Sequence, residues 1–396
     1  MSSTAPGQTV SRRHLLRASA ALAAFGFSLP RAFAQAASNT KTVVVLFLRG
    51  GMDGLSLAAP VADPQYAALR PSLKIDDGTP LDSTFWLHPA LAPLMPLYTA
   101  GRLALVHAVG QQSPSRSHFD AQDFLEGGVP GVRSNEGWLN RVTGQLPGEA
   151  ATLRAIAVQP RLPLSLAGPA NTLAFNSLKD FKVASNGAGF EALYAGAVDA
   201  ALRGAGGDAF DTLAQLDGPR LAQAKAQNGA VYPPGTLGKR LQDIARLVHA
   251  RQGVQVCATE AGGFDTHLGQ KASLNVRFKE LAESLAAFAQ DLGPKLDDVC
   301  LVTVTEFGRT AKENGSRGTD HGTASAMLVL GGKVKGGAVH CDWPGLDTLY
   351  ENRDLRVTTD IRQVLAEILA GHLELPDPAR AFPGFRWNRS QMRLFG

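Results

Sequence analysis

Apolar residues in this chain fall into five long runs that show little polar alternation. A run that is apolar at consecutive positions suits a strand buried on both faces, which is typical of a parallel sheet. The segments that carry these runs are 41–56, 102–110, 253–265, 298–308 and 325–332.

Between the apolar runs lie segments whose hydrophobic residues recur at helical spacing. One of them opens with a plausible N-cap, Thr359 or Asp360, ahead of its apolar face. Strands that alternate with helices indicate βαβ units, so we predict an α/β fold with a mainly parallel sheet sandwiched by helices. The predicted helical segments are 91–101, 238–253, 275–293 and 359–375.

The middle of the chain has a different character. Residues 147–234 contain short apolar stretches followed by Gly- and Ala-rich sequence with few strand signals. We predict that this segment is an insertion or cap on the sheet.

The first 34 residues are predicted to be a signal peptide and not part of the fold. They contain the pair Arg12 and Arg13, a short apolar run, and a small-x-small cleavage motif that ends at Ala34. The setting SRRHLL favours the twin-arginine export machinery, and an ordinary secretory signal is the alternative. Either interpretation leaves a mature domain of residues 35–396 in the periplasm or outside the cell.

Charge and composition narrow the possible partners. The chain has 39 basic and 35 acidic residues, and the leader carries four of the arginines and no acidic residue. The mature protein is therefore formally neutral and shows no basic patch that would favour nucleic acid. After processing we expect no membrane span, because no later apolar run is long enough. The three cysteines lack the spacing of a metal site.

Polar residues that could do chemistry follow the apolar runs. The carboxyl ends of parallel strands meet at one edge of a sheet, where sites gather. Mixed carboxylates and imidazoles suit one or two divalent ions of the zinc, manganese or iron kind. The metal-ligand candidates are Asp53, Asp265, His267, Glu306, Asp320 and His321, and the catalytic candidates are Ser117 as nucleophile with Arg116 and Arg309 as anion-stabilising groups.

Most candidates also have a structural interpretation: Glu306 suits a strand end that faces solvent, and Asp320 with His321 suits an ordinary polar loop. Asp53 stands between glycine-rich residues and suits a turn, and the segment Asp265 to His267 suits a helix cap. Ser117 with His118 also has the form of an N-cap. Individually these signals are weak, and together they favour a metal site.

The motifs VVVLFLRGGMDGLS, SRSHFDAQDFLEGG, GGFDTH, VTEFGRTAKENGSRGTDHG and LVLGG, taken in this order, resemble a known family. It is the bacterial exported family called domain of unknown function 1501, which is grouped with the alkaline phosphatase and sulfatase superfamily. The resemblance implies an alkaline phosphatase-like fold with metals at the strand ends. It also implies roles, namely metal ligands at Asp53, Asp265, His267 and His321, a nucleophile at Ser117, and Asp320 as a ligand or an orienting partner of His321.

These observations lead to two hypotheses. The first is an exported metal-dependent hydrolase or transferase that acts on a small-molecule phosphate or sulfate ester or a related anion. The alternative is a non-catalytic periplasmic protein on the same fold that binds metal or ligand or assists assembly, since fold does not imply function. Convergence of the ligand candidates on one point favours a metal protein, and wide scatter excludes the site.

Overall fold

The computed structural model describes residues 41–148, 153–180, 218–390 and 392–395. The predicted signal peptide, residues 1–34, lies outside them. The strands are β1 Thr42–Leu48, β2 Ala58–Ala59, β3 Thr79–Pro80, β4 Trp86–Leu87, β5 Leu103–Gly110, β6 Ala155–Val158, β7 Leu173–Phe175, β8 Val256–Ala261, β9 Val299–Val304, β10 Ser325–Gly331, β11 Val339–His340 and β12 Thr359–Asp360.

Helices flank the strands on both faces of the main sheet. The longest helix among the described residues is α8, whose 23 residues pack against α7. The α-helices are α1 Gly54–Leu57, α2 Tyr66–Leu69, α3 Met95–Thr99, α4 His118–Gly127, α5 Trp138–Thr143, α6 Gly218–Gln223, α7 Thr236–His249, α8 Gln270–Leu292 and α9 Ile361–Gly371. Short 3-10 helices cover Pro89–Leu94, Leu164–Leu166, Leu178–Asp180, Gly293–Asp298 and Pro378–Ala381.

The main sheet has the order β11-β5-β10-β9-β1-β8-β6-β7, and β12 also pairs with β5. Every pairing among its described strands is parallel except the two that β10 makes with β5 and β9. The fold is therefore α/β with a mainly parallel sheet between helices, which confirms the predicted class. Strands β2, β3 and β4 form a small separate antiparallel sheet.

The central strand β1 is buried at all seven positions because helices cover both of its faces. Val44 and Leu46 belong to a hydrophobic core that includes Phe278 of α8. Val43 belongs to a second core, on the other face, that includes Val364 of α9. Successive strand residues point to opposite faces, so burial on both faces requires the uninterrupted apolar run.

Helix α9 begins where the sequence predicted. The side chain of Asp360 accepts a hydrogen bond of 2.9 Å from the backbone N–H of Arg362, so Asp360 is the N-cap of α9. Among the described helices, none combines the length and the apolar character that crossing a bilayer requires.

The predicted cap needs a correction for the residues that the structure describes. Within 147–234, residues 153–180 contain β6 and β7, and β6 pairs in parallel with β8. These residues therefore extend the main sheet. Strand β6 is fully buried, and its residues Ala155 and Ala157 belong to the same hydrophobic core as Trp138 of α5. The rest of the segment that we predicted as a cap includes 149–152 and 181–217, which lie outside the described residues.

Candidate metal centre

One edge of the main sheet collects most of the candidate residues. Strands β1, β8 and β9 are in parallel register and end together, with Leu48 beside Ala261 and Phe47 beside Val304. Strand β10 is antiparallel, so its first residue, Ser325, lies at this same edge. Loops that leave β8 and β9 and a loop that enters β10 therefore meet, as the position of sites in parallel sheets predicts.

The loop between β9 and β10 is closed by a short antiparallel bridge between Arg309 and His321. Backbone hydrogen bonds from Thr310 to Asp320 (2.9 Å) and from Gly322 to Gly308 (2.8 Å) hold this bridge. His321 is thereby fixed above the carboxyl end of β9, although fourteen residues of loop separate it from Glu306.

A fourth element brings a histidine to the same edge. Helix α4 follows β5, and Ser117 is its N-cap, with Asp120 in the first turn. The helix ends at Gly128, which adopts a left-handed conformation with φ of 71°. The first residue of this helix is His118, and its imidazole reaches the cluster.

Four side chains converge at this edge. The ligand atoms of His118, Asp265 and His321 lie within 4.8 Å of one another. Nε2 of His267 lies 3.0 Å from Oδ1 of Asp265 and 3.0 Å from Nε2 of His321. Nε2 of His321 lies 3.2 Å from Oδ1 of Asp265, and Nε2 of His118 lies 3.5 Å from Oδ2 of Asp265.

Each of the three imidazoles is held by an acceptor at its other nitrogen, Nδ1. A carboxylate or a backbone carbonyl has no proton to donate, so Nδ1 carries the ring proton and Nε2 presents a lone pair. The acceptors are Glu306 for His118 at 2.8 Å, Asp320 for His267 at 3.0 Å, and the backbone carbonyl of Arg116 for His321 at 2.8 Å.

The arrangement places lone pairs against one another. Nε2 of His267, Nε2 of His321 and Oδ1 of Asp265 approach within 3.0 to 3.2 Å with no proton available among the neutral rings. Nε2 of His118 is buried without a hydrogen-bond partner. Such a group of acceptors is stabilised only by a cation, either added protons or a metal ion.

The spacing of these atoms fits a divalent metal ion. Zinc binds nitrogen and oxygen ligands at about 2.0–2.2 Å, so the ligand atoms of a tetrahedral site lie about 3.3 Å apart. Three contacts to Asp265 and the contact between His267 and His321 run from 3.0 to 3.5 Å, and the ligand atoms of His118, Asp265 and His321 all lie within 4.8 Å of one another. Histidines whose second nitrogen bonds a carboxylate or carbonyl are also the usual ligand type in such sites. His118, Asp265, His267 and His321 would hold the ion.

Glu306 is buried beneath the centre and accepts several hydrogen bonds. Its Oε1 accepts from the backbone N–H of Gly50 (2.9 Å), from Gln122 (2.9 Å) and from His118. Burial by itself would raise the pKa of Glu306, but the hydrogen bonds from His118 and Gln122 outweigh burial and lower that pKa. The carboxylate therefore stays ionised and orients the imidazole.

The charge partners set the ionisation of the other groups. The hydrogen bond from His267 lowers the pKa of Asp320. For Asp265, burial opposes ionisation, and the hydrogen bond from Arg309 (2.8 Å) overcomes it, so the pKa of Asp265 is lowered. The hydrogen bond to Glu306 raises the pKa of His118, whereas burial lowers the pKa of His321.

An aromatic ring packs against two histidines of the centre. The ring of Phe307 lies 4.8 Å from the rings of both His118 and His321. Gly51, which has φ of 68°, permits this approach, because a Cβ there would lie 2.5 Å from the Phe307 ring. Gly50, with φ of 116°, likewise lets the end of β1 pass against the backbone of Asp265.

The centre is exposed to solvent at Asp265 and His267 among the residues that the structure describes. The side chains of Asp265 and His267 are 44% and 42% exposed, whereas Glu306 and Arg309 beneath them are buried. A small molecule can therefore reach the ligand atoms from the side of Asp265 and His267.

The structure does not bring Asp53 into this centre. Asp53 is buried, and its carboxylate pairs with the fully buried guanidinium of Arg70 at 2.5 and 3.0 Å. It also accepts hydrogen bonds of 2.6 Å from Ser56 and of 2.6 Å from Gln270. Burial of a carboxylate requires such partners, and Arg70 supplies the compensating charge.

The catalytic candidates occupy different positions. The Ser117 side chain is exposed and caps α4 with a long contact of 3.5 Å to the backbone N–H of Asp120. The guanidinium of Arg116 pairs with Asp354 and Glu351, and only its carbonyl touches the centre. Arg309 is buried and bonds Asp265, Thr319 and the carbonyl of Gly50.

His118 is the member of this cluster that the metal-ligand candidates from the sequence did not include. In the sequence it follows Ser117 at a helix start, where an N-cap accounts for the pair. The signal that distinguishes it is the partnership with Glu306, which lies 188 residues away along the chain. The hydrophobic and polar pattern around His118 cannot predict a contact with a residue so distant in the sequence.

Comparisons with known proteins add the family and a distant structural likeness. A solved structure with some similarity is the C-terminal periplasmic domain of EcEptC from Escherichia coli in complex with Zn, with 8% sequence identity, a TM-score of 0.36 and 74% of each chain covered. So distant a likeness transfers no property to this chain. Curated proteins gave no match. The family model described as protein of unknown function DUF1501 matches residues 40–382, and the chain therefore belongs to that family.

Proposed function

We propose that this chain is an exported metal-dependent enzyme that hydrolyses or transfers a phosphate or sulfate ester. The observation that carries the proposal is the convergence of three imidazole Nε2 atoms on Asp265 at an accessible sheet edge. The resemblance to the alkaline phosphatase and sulfatase superfamily supports the ester chemistry, and the leader of residues 1–34 supports export.

The chain's own residues would position the reacting groups. A bound divalent ion of the zinc, manganese or iron kind supplies positive charge for a developing anion. Glu306 and Asp320 hold the rings of His118 and His267 in place, and the ring of Phe307 packs against that of His118. The exposed side at Asp265 admits the ester.

Ser117 is the proposed nucleophile. It directly precedes His118, is exposed, and makes only the long capping contact at the start of α4. The N-terminus of this helix also favours negative charge, because its first backbone N–H groups have no partner within the helix. These features suit an attacking oxygen next to an anionic group.

A second candidate function is non-catalytic binding of a metal or anionic ligand in the periplasm. Both arginines that were expected to stabilise an anion already pair with carboxylates, Arg116 with Asp354 and Arg309 with Asp265. With these two arginines already paired, the described centre suits binding of a metal more directly than transfer of an anionic group.

One experiment separates these functions. Mature protein is assayed for bound metal and for hydrolysis of aryl phosphates and aryl sulfates, alongside Ser117→Ala and the control Ser113→Ala in the same exposed loop. Turnover that Ser117→Ala abolishes and Ser113→Ala leaves intact supports the enzyme. Bound metal without turnover of either ester supports the binding protein.

A further inference from the structure

We infer that this centre takes one divalent ion and not two, held by Nε2 of His118, His267 and His321 and by the carboxylate of Asp265, and that the guanidinium of Arg70 is the cation that accompanies Asp53. The inference rests on the metal-binding part of the proposed function and deepens it. It does not depend on the ester chemistry.

The first argument concerns His118. Its Nδ1 is committed to Glu306 at 2.8 Å, and its Nε2 is buried, has no hydrogen-bond partner and lies 3.5 Å from Oδ2 of Asp265. A buried acceptor without a partner is costly unless a cation meets it. An ion at the centre of the cluster removes this cost and makes His118 a ligand.

The second argument concerns Glu306 and Asp320, the two carboxylates that bond Nδ1 atoms of the histidines. Oε1 of Glu306 accepts from three donors and its Oε2 accepts from Thr305 at 3.1 Å, so Glu306 already uses both oxygens. Oδ1 of Asp320 accepts from His267 at 3.0 Å and from Asn314 at 3.2 Å. Glu306 therefore acts through His118, and Oδ1 of Asp320 acts through His267, as orienting partners of ligands commonly do.

The third argument concerns the position beside Asp53. Arg70 bonds both Asp53 oxygens and also the backbone carbonyls of Thr310 (2.8 Å) and Ala311 (2.9 Å), and it has no exposed surface. Its guanidinium is permanently charged and held in place by these bonds. A divalent ion next to it would meet strong repulsion at low dielectric, so Asp53 has no place for a metal.

The arrangement leaves one ion with an open side. Four protein ligands surround it, and the exposed faces of Asp265 and His267 leave room for one more ligand from solvent. The donor set of imidazoles and a carboxylate selects a zinc, manganese or iron ion over calcium, which prefers oxygen ligands.

The test measures how many metal ions each chain binds. Mature protein is stripped of metal, titrated with Co²⁺, and followed by visible absorbance and by elemental analysis after dialysis. We expect an end point at one ion per chain. For His118→Ala we expect less than about a tenth of an equivalent after dialysis. The control His340→Ala, a half-buried histidine that bonds the Lys335 carbonyl, keeps one ion.

Several outcomes overturn the inference. Two ions per chain, a His118→Ala variant that retains its ion while His321→Ala loses it, or no binding by the folded wild-type chain each contradict it. Circular dichroism confirms that each variant is folded, and the titration of the unaltered chain decides the count even where a variant does not fold. One ion without ester turnover supports this inference and contradicts the enzyme, whereas two ions with turnover do the reverse.

Discussion

Oε1 of Glu306 lies 2.8 Å from Nδ1 of His118, so a buried carboxylate after β9 orients an imidazole at the first residue of α4. Two further residues strengthen this relationship, since Gln122 and the backbone of Gly50 donate to the same oxygen. The pair joins two elements that are far apart in the chain and makes the metal centre depend on the fold of the whole sheet edge.

Replacing that carboxylate should weaken metal binding without unfolding the chain. We expect Glu306→Gln to lower the affinity for Zn²⁺ by about 10–100-fold, because the amide holds the ring of His118 less firmly and makes its Nε2 less basic. Competition with a chromogenic chelator measures the affinity. The control is Glu367→Gln, the same change at a buried carboxylate that bonds the backbone of Leu394. Equal losses of affinity in both variants would contradict the assigned role.

The buried pair of Asp53 and Arg70 should be essential for stability. Arg70→Met leaves the Asp53 carboxylate buried without its countercharge, which costs about 3–5 kcal/mol in the free energy of unfolding. Urea unfolding followed by tryptophan fluorescence measures this cost. Adding Asp53→Asn to Arg70→Met should restore part of the loss, because no uncompensated charge then remains.

An exposed ion pair provides the comparison for that prediction. Arg133 lies 2.6 Å from Asp120 and its side chain is 69% exposed, so Arg133→Met should change stability little. A loss in Arg133→Met as large as that in Arg70→Met would show that burial is not the cause.

Gly51 should not tolerate a side chain. Its φ of 68° disfavours other residues, and a Cβ would lie 2.5 Å from the ring of Phe307, which contacts two of the histidines. We expect Gly51→Ala to reduce the free energy of unfolding by more than about 1 kcal/mol and to weaken metal binding as well. Gly262→Ala is the matched control, since nothing lies within 4 Å of a Cβ there. Thermal melts and metal titration report the two effects.

Acid should destabilise the protein partly through His107. Its Nε2 bonds the carbonyls of Gly54 and Ala58 at 3.1 and 3.0 Å, its Nδ1 accepts from the backbone of Ala108, and burial lowers its pKa to about 4. The folded-state pKa lies below the ordinary value of 6.5, so the unfolded chain binds the proton more tightly. Stability is full above pH 6.5 and declines as the pH falls towards 4, by on the order of 3 kcal/mol.

The free energy of unfolding of metal-free protein is measured by urea unfolding at about five pH values between pH 8 and pH 4. His107→Gln should lower stability at pH 8 and show a smaller decline below pH 6.5 than the unaltered chain. The same pH profile in both proteins would exclude His107 as a source of the effect.

Export should depend on the arginine pair in the leader. We expect Arg12→Lys with Arg13→Lys to leave the protein in the cytoplasm if the twin-arginine machinery carries it, because that route reads the pair itself. Cell fractionation and immunoblotting give the result, with Arg31→Lys as the control near the cleavage motif. Normal export of the doubly substituted protein would indicate the ordinary secretory route.

How much of this site was predictable differs from residue to residue. Asp265, His267 and His321 follow or precede apolar runs, and local pattern placed them at strand ends, where the structure finds them. Asp53 follows β1 in the same way, yet Arg70, only 17 residues later, holds its carboxylate elsewhere. A charge pair formed by packing is invisible in the pattern of one strand and its loop.

The sequence by itself determined the five long central strands, the long helices and the α/β class, because burial on both faces of a central sheet leaves uninterrupted apolar runs that local pattern detects. Only the tertiary structure decided the direction of β10, which carries His321 to the edge where β9 ends, and the contact of Glu306 with His118. Both depend on residues that meet across long stretches of chain, where electrostatic compensation and packing, not local hydrophobicity, select the partner.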